Sequence, residues 1–468
     1  MGKITCNYCG EYIEKDSRFC YFCGSSVGTD KVPIEESETG KGDIYSHTIE
    51  KEPTHKVSKT KVKRKAVSGI IIAVVIIAAL GVILPTTFIS IYGPLRYKYI
   101  GATTYSSDAI TTNNATLTVY NFAGDVNVEY NPYITEVLMV EIFVYGRSEA
   151  DISEAEEFIV STEGGTYEFI FIDDTDYTFW DKTAMRYEIF ISLNPSVNFA
   201  FDIEAYSGNI EFDLDYLSNS NITGVKLDTF SGNIDADFGM NREINAPTFH
   251  AKTTSGNIDL FFGTGTTVNT TNFNVEAFSG NIEVDFESTN ELMVEGGQIE
   301  LSSTSGRSVF RFDSGKLNAS VLQINNFSGN VFLILGTATE ITLNEVSIDV
   351  ESGNIDIECD LCTFYSNITW NIMGFSGNVD IRLDPTILAN INYTAEFNVD
   401  ITSGDIDIEY GFSEINVGVQ IEAVTTSGNI NLPGGLGFYQ SPDYALKMKK
   451  YIFDLETFSG NIDVFGYD

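Results

Sequence analysis

Histidine is nearly missing from this chain: there are three among 468 residues, and two of them, His47 and His55, fall in a polar stretch ahead of the repeats. That leaves His250 downstream, with no Ser-His-Asp constellation and no P-loop for it to join. His250 lies in a return segment, where a surface or core role fits better than acid–base work. Basic charge is scarce too. Residues 1–66 hold 12 Lys and Arg against 10 Asp and Glu, whereas the remainder holds 15 against 56. A basic footprint for nucleic acid is therefore absent from the region after residue 66. Only six cysteines occur, four of them within the first 23 residues.

What the chain has in plenty is one short phrase. Ser-Gly followed by Asn, or nearly so, recurs eleven times, with its glycines at 208, 232, 256, 280, 306, 329, 353, 377, 404, 428 and 460. Most copies stand 24 residues apart, and the last interval is 32. A fixed period of this size is the signature of stacked repeats. After each glycine, positions +2, +4 and +6 are apolar (Ile234, Ala236 and Phe238; Ile258, Leu260 and Phe262), while the alternate positions are polar or acidic. Period two over six residues is a strand with one buried and one wet face. Apolar residues recur before the glycine as well, at Val225 and Leu227 or Phe273 and Val275. Each repeat therefore reads as strand, Ser-Gly bend, strand and a variable return. Glycine suits a bend with positive φ or close backbone approach, and the neighbouring Asn can form a ladder of side-chain amides. The fold expected is mainly β: a right-handed parallel β-helix, or β-solenoid, with 24-residue coils stacked in chain order. An antiparallel sandwich is the alternative, but its strands need not match column by column as these do.

The net charge of −39 sits mostly on the outward columns of these coils. Like charges one rung apart repel by about 1 kcal/mol in water. Each inward apolar side chain contributes roughly 1.5–3 kcal/mol, so burial wins. The acidic face is read first as a solvated surface. Stacked carboxylates are also hard ligands of the kind Ca²⁺ takes, although no copy carries the dense Gly-Gly-x-Gly-x-Asp pattern of a calcium-binding roll.

Residues 67–91, VSGIIIAVVIIAALGVILPTTFISI, carry no charge, and that length can cross a hydrocarbon core of about 30 Å. Lys56, Lys59, Lys61, Lys63, Arg64 and Lys65 precede the stretch, whereas Arg96 and Lys98 follow it. The excess of positive charge puts the N-terminus in the cytoplasm and the acidic repeats outside. The expected order is a zinc ribbon at 1–26, a polar linker at 27–65, a transmembrane helix at 66–91, a β-rich lead-in at 99–200 and the β-solenoid at 201–468.

The ribbon rests on Cys6-x-x-Cys9 and Cys20-x-x-Cys23, followed by Gly24. Two thiolates three apart grip a tetrahedral Zn²⁺ from a tight turn, and a second pair closes the cage. Reduced cytoplasmic thiols favour metal over disulfides. This segment resembles the short zinc-ribbon family over residues 3–24. With four thiolates the site would be structural, leaving no open position for catalysis. Ribbons of this kind imply docking to a protein or a nucleic acid, a cytoplasmic protein being one such partner.

The lead-in contains LTVYNFAGDVNVEY at 117–130, in which residues 122–126 look like a worn copy of the bend. A Gly-Asp-Val strand, a valine-rich strand, the run IFISLNPSVNFAFDIEAYSGNIEF and serial SGNI copies together resemble the adhesin-like family of β-strand-repeat domains. The resemblance covers residues 116–468 and implies a fold and a surface role; it supplies no catalytic residues. Here Asn stands where the family often has Asp after the glycine.

Three further features bear on sites. Cys359 and Cys362 fall outside the membrane, either as a Cys-x-x-Cys disulfide or as small buried hydrophobes. Seven Asn-x-Ser/Thr sequons occur, of which Asn221, Asn269 and Asn367 fall in expected return loops and are candidate glycosylation sites. Residues 433–450, with Lys447, Lys449 and Lys450, read as a short helix that caps the terminal coil, or else as a docking point for an acidic neighbour. The function expected is non-catalytic adhesion, binding an extracellular polymer or protein along the acidic face. One alternative is an envelope sensor that signals through the ribbon. The other is a polysaccharide-active enzyme, which the uniform spread of carboxylates disfavours.

Overall fold

The computed structural model describes the strands Lys3–Thr5 and Tyr12–Glu14 and residues 98–467, apart from 108, 111–112, 147–158, 162–164, 172–185, 216–220, 386–391, 412–416, 434, 436 and 443. The linker, the apolar stretch at 66–91 and Cys6, Cys9, Cys20 and Cys23 lie outside the described residues. Among the described residues no helix is long and apolar enough to cross a membrane. The chain divides into two units, 1–87 and 88–468. In the first, Lys3–Thr5 pairs antiparallel with Tyr12–Glu14, setting Ile4 opposite Ile13.

In the second unit the repeats coil. Ile210 pairs with Ile234, Ile234 with Ile258 and Ile258 with Ile282, all in parallel ladders. The strands ahead of the bend form a second set of parallel ladders, as Val225–Phe249 and Phe249–Phe273. Parallel pairing at a one-coil offset is what a solenoid requires, and it excludes the antiparallel sandwich for these coils. Every second side chain points inward and is buried. Across the interior, rings line up by rung: Phe238–Phe262 at 4.9 Å, Phe262–Phe286 at 4.2 Å and Phe249–Phe273 at 4.5 Å between centroids. Repeating one residue in one column thus sets like rings against like, adding roughly 0.5–1.5 kcal/mol per pair beyond simple burial.

The variable return is more ordered than its sequence suggests. In the middle of the stack it forms a third parallel ladder, through Ile244, Val268, Leu292, Leu317 and Ile341. These columns are short, so the apolar period is too brief to read in any single copy.

The bend itself rests on close backbone approach. Gly280 adopts φ +148°, and a Cβ there would stand 1.7 Å from the carbonyl oxygen of Gly256. No side chain fits, which is why glycine recurs. Beside it the asparagines do form a ladder, but of a different kind from the expected amide stack. Asn233 N–H donates to Asn209 Oδ1 at 2.9 Å, Asn257 N–H to Asn233 Oδ1 at 2.8 Å and Asn281 N–H to Asn257 Oδ1 at 2.9 Å. Side-chain oxygen meets main-chain nitrogen because the bend interrupts the strand ladder and leaves that N–H in need of an acceptor.

Both ends depart from chain order. Residues 122–126 do belong to the stack, with Gly124 directly beneath Gly208. The next strands, Thr166–Phe171 and Arg186–Leu193, pair on the far side of that coil, with Asn114–Ala123 and Val126–Tyr130. Antiparallel strands then cover this end, Leu138–Gly146 on Arg186–Leu193 and Lys98–Ser106 on Leu138–Gly146. At the other end the chain-order expectation fails. The last coil, Lys449–Ser459 with Ile462–Tyr467, lies between the Gly404 and Gly428 coils. The Gly428 coil is therefore outermost, and Phe438–Gln440 covers its edge by antiparallel pairing that sets Tyr439 opposite Ile421. The expected helix is a single 3₁₀ turn, Tyr444–Leu446.

Candidate functional site

With the interior apolar, chemistry is confined to the outward columns. On the sheet after the bend, Glu211, Asp235, Asp259 and Glu283 are consecutive register partners, four carboxylates on four rungs. A second run, Asp356, Asp380, Asp407 and Asp463, lies further along and includes the intercalated coil. Partial burial pushes the carboxyls of Asp259 and Asp356 up, and neighbouring acids on the adjoining rungs add to the shift. Asp407 is raised in the same way by burial and then by Asp463.

Arginines stand beside these runs, in neighbouring outward columns. On the irregular Gly306 coil, Arg307 reaches Glu283 at 2.9 Å and Arg311 reaches Asp285 at 2.7 Å. Arg382 sits between Glu358 and Glu409, at 4.0 and 3.3 Å. On the Gly306 coil Val309 follows Glu283 in its column, and Arg311 breaks the adjoining column of Asp285. Among the described residues no group of three or more His, Cys, Asp or Glu side chains is placed to hold a metal ion.

The sheet before the bend carries a mixed network. Lys226 bonds Asp202 at 2.9 Å and also Glu204; burial lowers its pKa, but those two hydrogen bonds outweigh it and raise the ammonium above its ordinary value. His250 follows on the next rung, with Nε2 3.1 Å from Asp228, and Lys252 then meets Glu276 at 2.7 Å. His250 is therefore one link in a ladder of polar contacts on the outer face.

The paired cysteines point inward. Cys359 and Cys362 are both buried as thiols, and Cys362 Sγ donates to the Leu335 carbonyl at 3.2 Å. Burial first, then the hydrogen bond with Cys359, holds the Cys362 thiol well above its ordinary pKa. Both side chains thus sit among the buried apolar residues of the interior. The sequons also differ from expectation. Asn269 lies within the strand Thr267–Ser279, where its Nδ2 donates to Asn245 at 2.8 Å, so it is not in a return loop. Asn221 opens the strand Asn221–Ser231, half-buried, its N–H bonded to Asn198. Asn367 alone of the three is exposed and outside a strand. Lys449, expected in an exposed basic cluster, is buried, while Lys450 lies over the Tyr444 ring at 4.8 Å.

Two features escaped the sequence reading. Arg242 is 2 % exposed, donating Nη2 to the Leu214 carbonyl at 2.7 Å with its guanidinium 4.8 Å above the Tyr130 ring. Desolvation lowers its pKa, and it serves the main chain where a coil turns. The other is a line of rings at the residue before the bend on several coils, half-buried at Phe122 and exposed at Tyr206 and Phe230. Phe122 and Tyr206 stack at 5.1 Å and Tyr206 and Phe230 at 4.8 Å, each pair within 3° of parallel. The signal was present in the recurring FSGN phrase, but a lone aromatic beside a bend reads equally well as core.

The Toastrack DUF4097 family matches residues 186–465, and the chain belongs to that family. Solved structures similar to it include a candidate cell adhesion protein of Clostridium sporogenes, at 10 % identity and TM-score 0.19, covering 78 % of this chain and 99 % of that one. Another is a candidate adhesin of Bacteroides fragilis, at 11 % identity and TM-score 0.21, covering 79 % of this chain and 98 % of that one. Among curated proteins none matches the chain.

Proposed function

We propose that this protein is a membrane-anchored, cell-surface binding protein whose β-solenoid engages an extracellular polymer or protein without catalysis. One observation carries the reading: the outward columns repeat in register from rung to rung, as between Glu211 and Glu283, so a long ligand would meet the same chemistry many times. Repeated weak contacts of this kind add up through effective concentration. An active site, by contrast, needs a unique local constellation.

The charge-free stretch at 66–91 would anchor the chain, with the basic flank holding the N-terminus in the cytoplasm. Cys6, Cys9, Cys20 and Cys23 would hold one structural Zn²⁺ through four thiolates. The antiparallel strands Lys3–Thr5 and Tyr12–Glu14, which bracket the first cysteine pair in sequence, support that reading. Right-handed winding is inferred from the general rule for parallel crossovers. Asn367 is the sequon best placed for a glycan, and the acidic runs would attract Ca²⁺ only diffusely.

The test is binding of the full-length chain, reconstituted in vesicles, to intact cells and isolated envelope material. Saturable, salt-sensitive binding with no turnover of the bound material is expected. Release of soluble fragments would favour the enzyme instead. A sensing role is favoured if a cytoplasmic protein is retained in stoichiometric amount and is lost when Cys6 and Cys9 are replaced by serine.

A further inference from the structure

The exposed rings follow a rule that appears only once the coils are placed in spatial order. From the Gly232 coil onward the residue before each ladder serine is aromatic on every second rung: Phe230, Phe278, Phe327, Phe375 and Phe458, each between 50 and 62 % exposed. Thr254, Thr304, Glu351 and Thr402 occupy the rungs between. In chain order the pattern fails at its end, because Thr402 is followed by Thr426. Intercalation of the last coil restores it, since Ser459 pairs with both Ser403 and Ser427 and so sets Phe458 between the two threonines.

The rings therefore recur at two rungs, about 10 Å. Half-exposed rings contribute little to the fold, and the rungs between them carry side chains without a ring, threonine or Glu351. Two sugar rings of an extended β-linked glycan span a similar length, and the apolar face of a pyranose stacks on an aromatic ring. The surroundings select the polymer further. Along the chain the ring position lies between two outward columns: a mixed one, in which Asp228, Glu276 and Asp349 share the column with Lys252, Ser302 and Asn325, and a more acidic one, in which Val309 and Phe332 separate Asp235, Asp259 and Glu283 from Asp356. That charge repels uronate or phosphate polymers and favours amines.

We propose that this aromatic ridge is a binding track for an extended amino-sugar polysaccharide with a two-sugar repeat and free amines. Every second sugar stacks on a phenylalanine, and the protonated amines face the flanking carboxylates. The proposal rests on the surface-binding reading above and names its ligand and site.

The experiment is affinity electrophoresis of the full-length chain in detergent through gels containing chitosan, fully N-acetylated soluble chitin or polygalacturonate. Retardation by chitosan is expected, with weaker retardation by the acetylated polymer and none by polygalacturonate. The variant Phe230→Ala/Phe278→Ala/Phe327→Ala should lose at least about tenfold in affinity for chitosan while keeping its melting temperature. Phe278→Tyr should retain binding, separating ring stacking from any loss of structure. Unchanged retardation of the triple variant overturns the inference, as does equal retardation by polygalacturonate. So does concentration-dependent dimerisation that the triple variant abolishes, since the ridge would then seat a second copy. If the chain binds envelope material but none of the three polymers, the track falls and the surface-binding reading stands. If it binds neither, both fall.

Discussion

The backbone N–H of Asn461 donates to Oδ1 of Asp405 over 2.7 Å, although 56 residues separate them. Asn461 Oδ1 in turn accepts from the N–H of Asn429 at 3.0 Å. One chain of side-chain acceptors thus runs 405, 461, 429, against the order of the polypeptide. The final coil is threaded into the stack beneath one that was formed earlier in sequence.

That threading makes the end of the molecule depend on its last residues. A chain truncated before Lys449 should lose amide-exchange protection across the strand Val417–Ser427, which pairs with Lys449–Ser459. Protection of the strands around Ile258 should be unchanged, because they contact only their own neighbours. Hydrogen exchange read by mass spectrometry checks both.

Replacing Asn257 by alanine removes the acceptor of the Asn281 N–H. The expected cost is about 1 kcal/mol, read as a lower denaturant midpoint. Asn257→Asp keeps an acceptor in place and should cost less at high salt than at low salt, since the new charge faces an acidic surface.

Gly280→Ala meets the carbonyl of Gly256 and a φ of +148°. A loss of about 2–4 kcal/mol is expected, larger than for any exposed substitution on the same coil. Thermal unfolding measured beside Thr254→Ala provides the contrast.

Acidification should stabilise the solenoid. Asp259, Asp356 and Asp407 have folded-state pKa values raised by burial and by neighbouring carboxylates. A raised folded pKa means the native state binds the proton more tightly than the unfolded chain. The gain is therefore present below the ordinary carboxylate range and is lost as pH rises through the folded values. Melting temperature should climb as pH falls from neutrality toward the ordinary carboxylate range, about 4. Glu276, lowered first by its hydrogen bond from Lys252, opposes this trend. Asp259→Asn should flatten the slope, and a melting temperature that drops steadily on acidification would contradict the account.

Cys359 and Cys362 are buried thiols, with Cys362 held protonated by its surroundings. Neither should react with maleimide in the folded protein, and both should react once it is unfolded under reducing conditions. Mass spectrometry of the alkylated protein counts them.

Much of this was legible in the sequence. The recurrence of Ile at +2 and Phe at +6 fixed which faces are buried, and Ile234 does stand against Ile258 as the 24-residue period requires. Glycine at the bend was also readable, because close backbone approach leaves no alternative residue. The charge columns were legible as columns, but only the structure sets Arg307 2.9 Å from Glu283. Asn269 was misplaced because the third ladder is too short to announce itself, and Arg242 because its partners are main-chain carbonyls, which no sequence pattern marks.

By itself, then, the sequence determined the unit: a two-faced strand pair around a glycine bend, with acid outside and aliphatic or aromatic carbon within. Only the tertiary structure decided the order in which units stack. Each coil offers its neighbours the same parallel edge and the same columns, so local chemistry is nearly blind to which repeat comes next. Chain connectivity, loop length and the strands that cover each end make that choice. They place Phe458 between Thr402 and Thr426, and with it complete the alternation along the ridge.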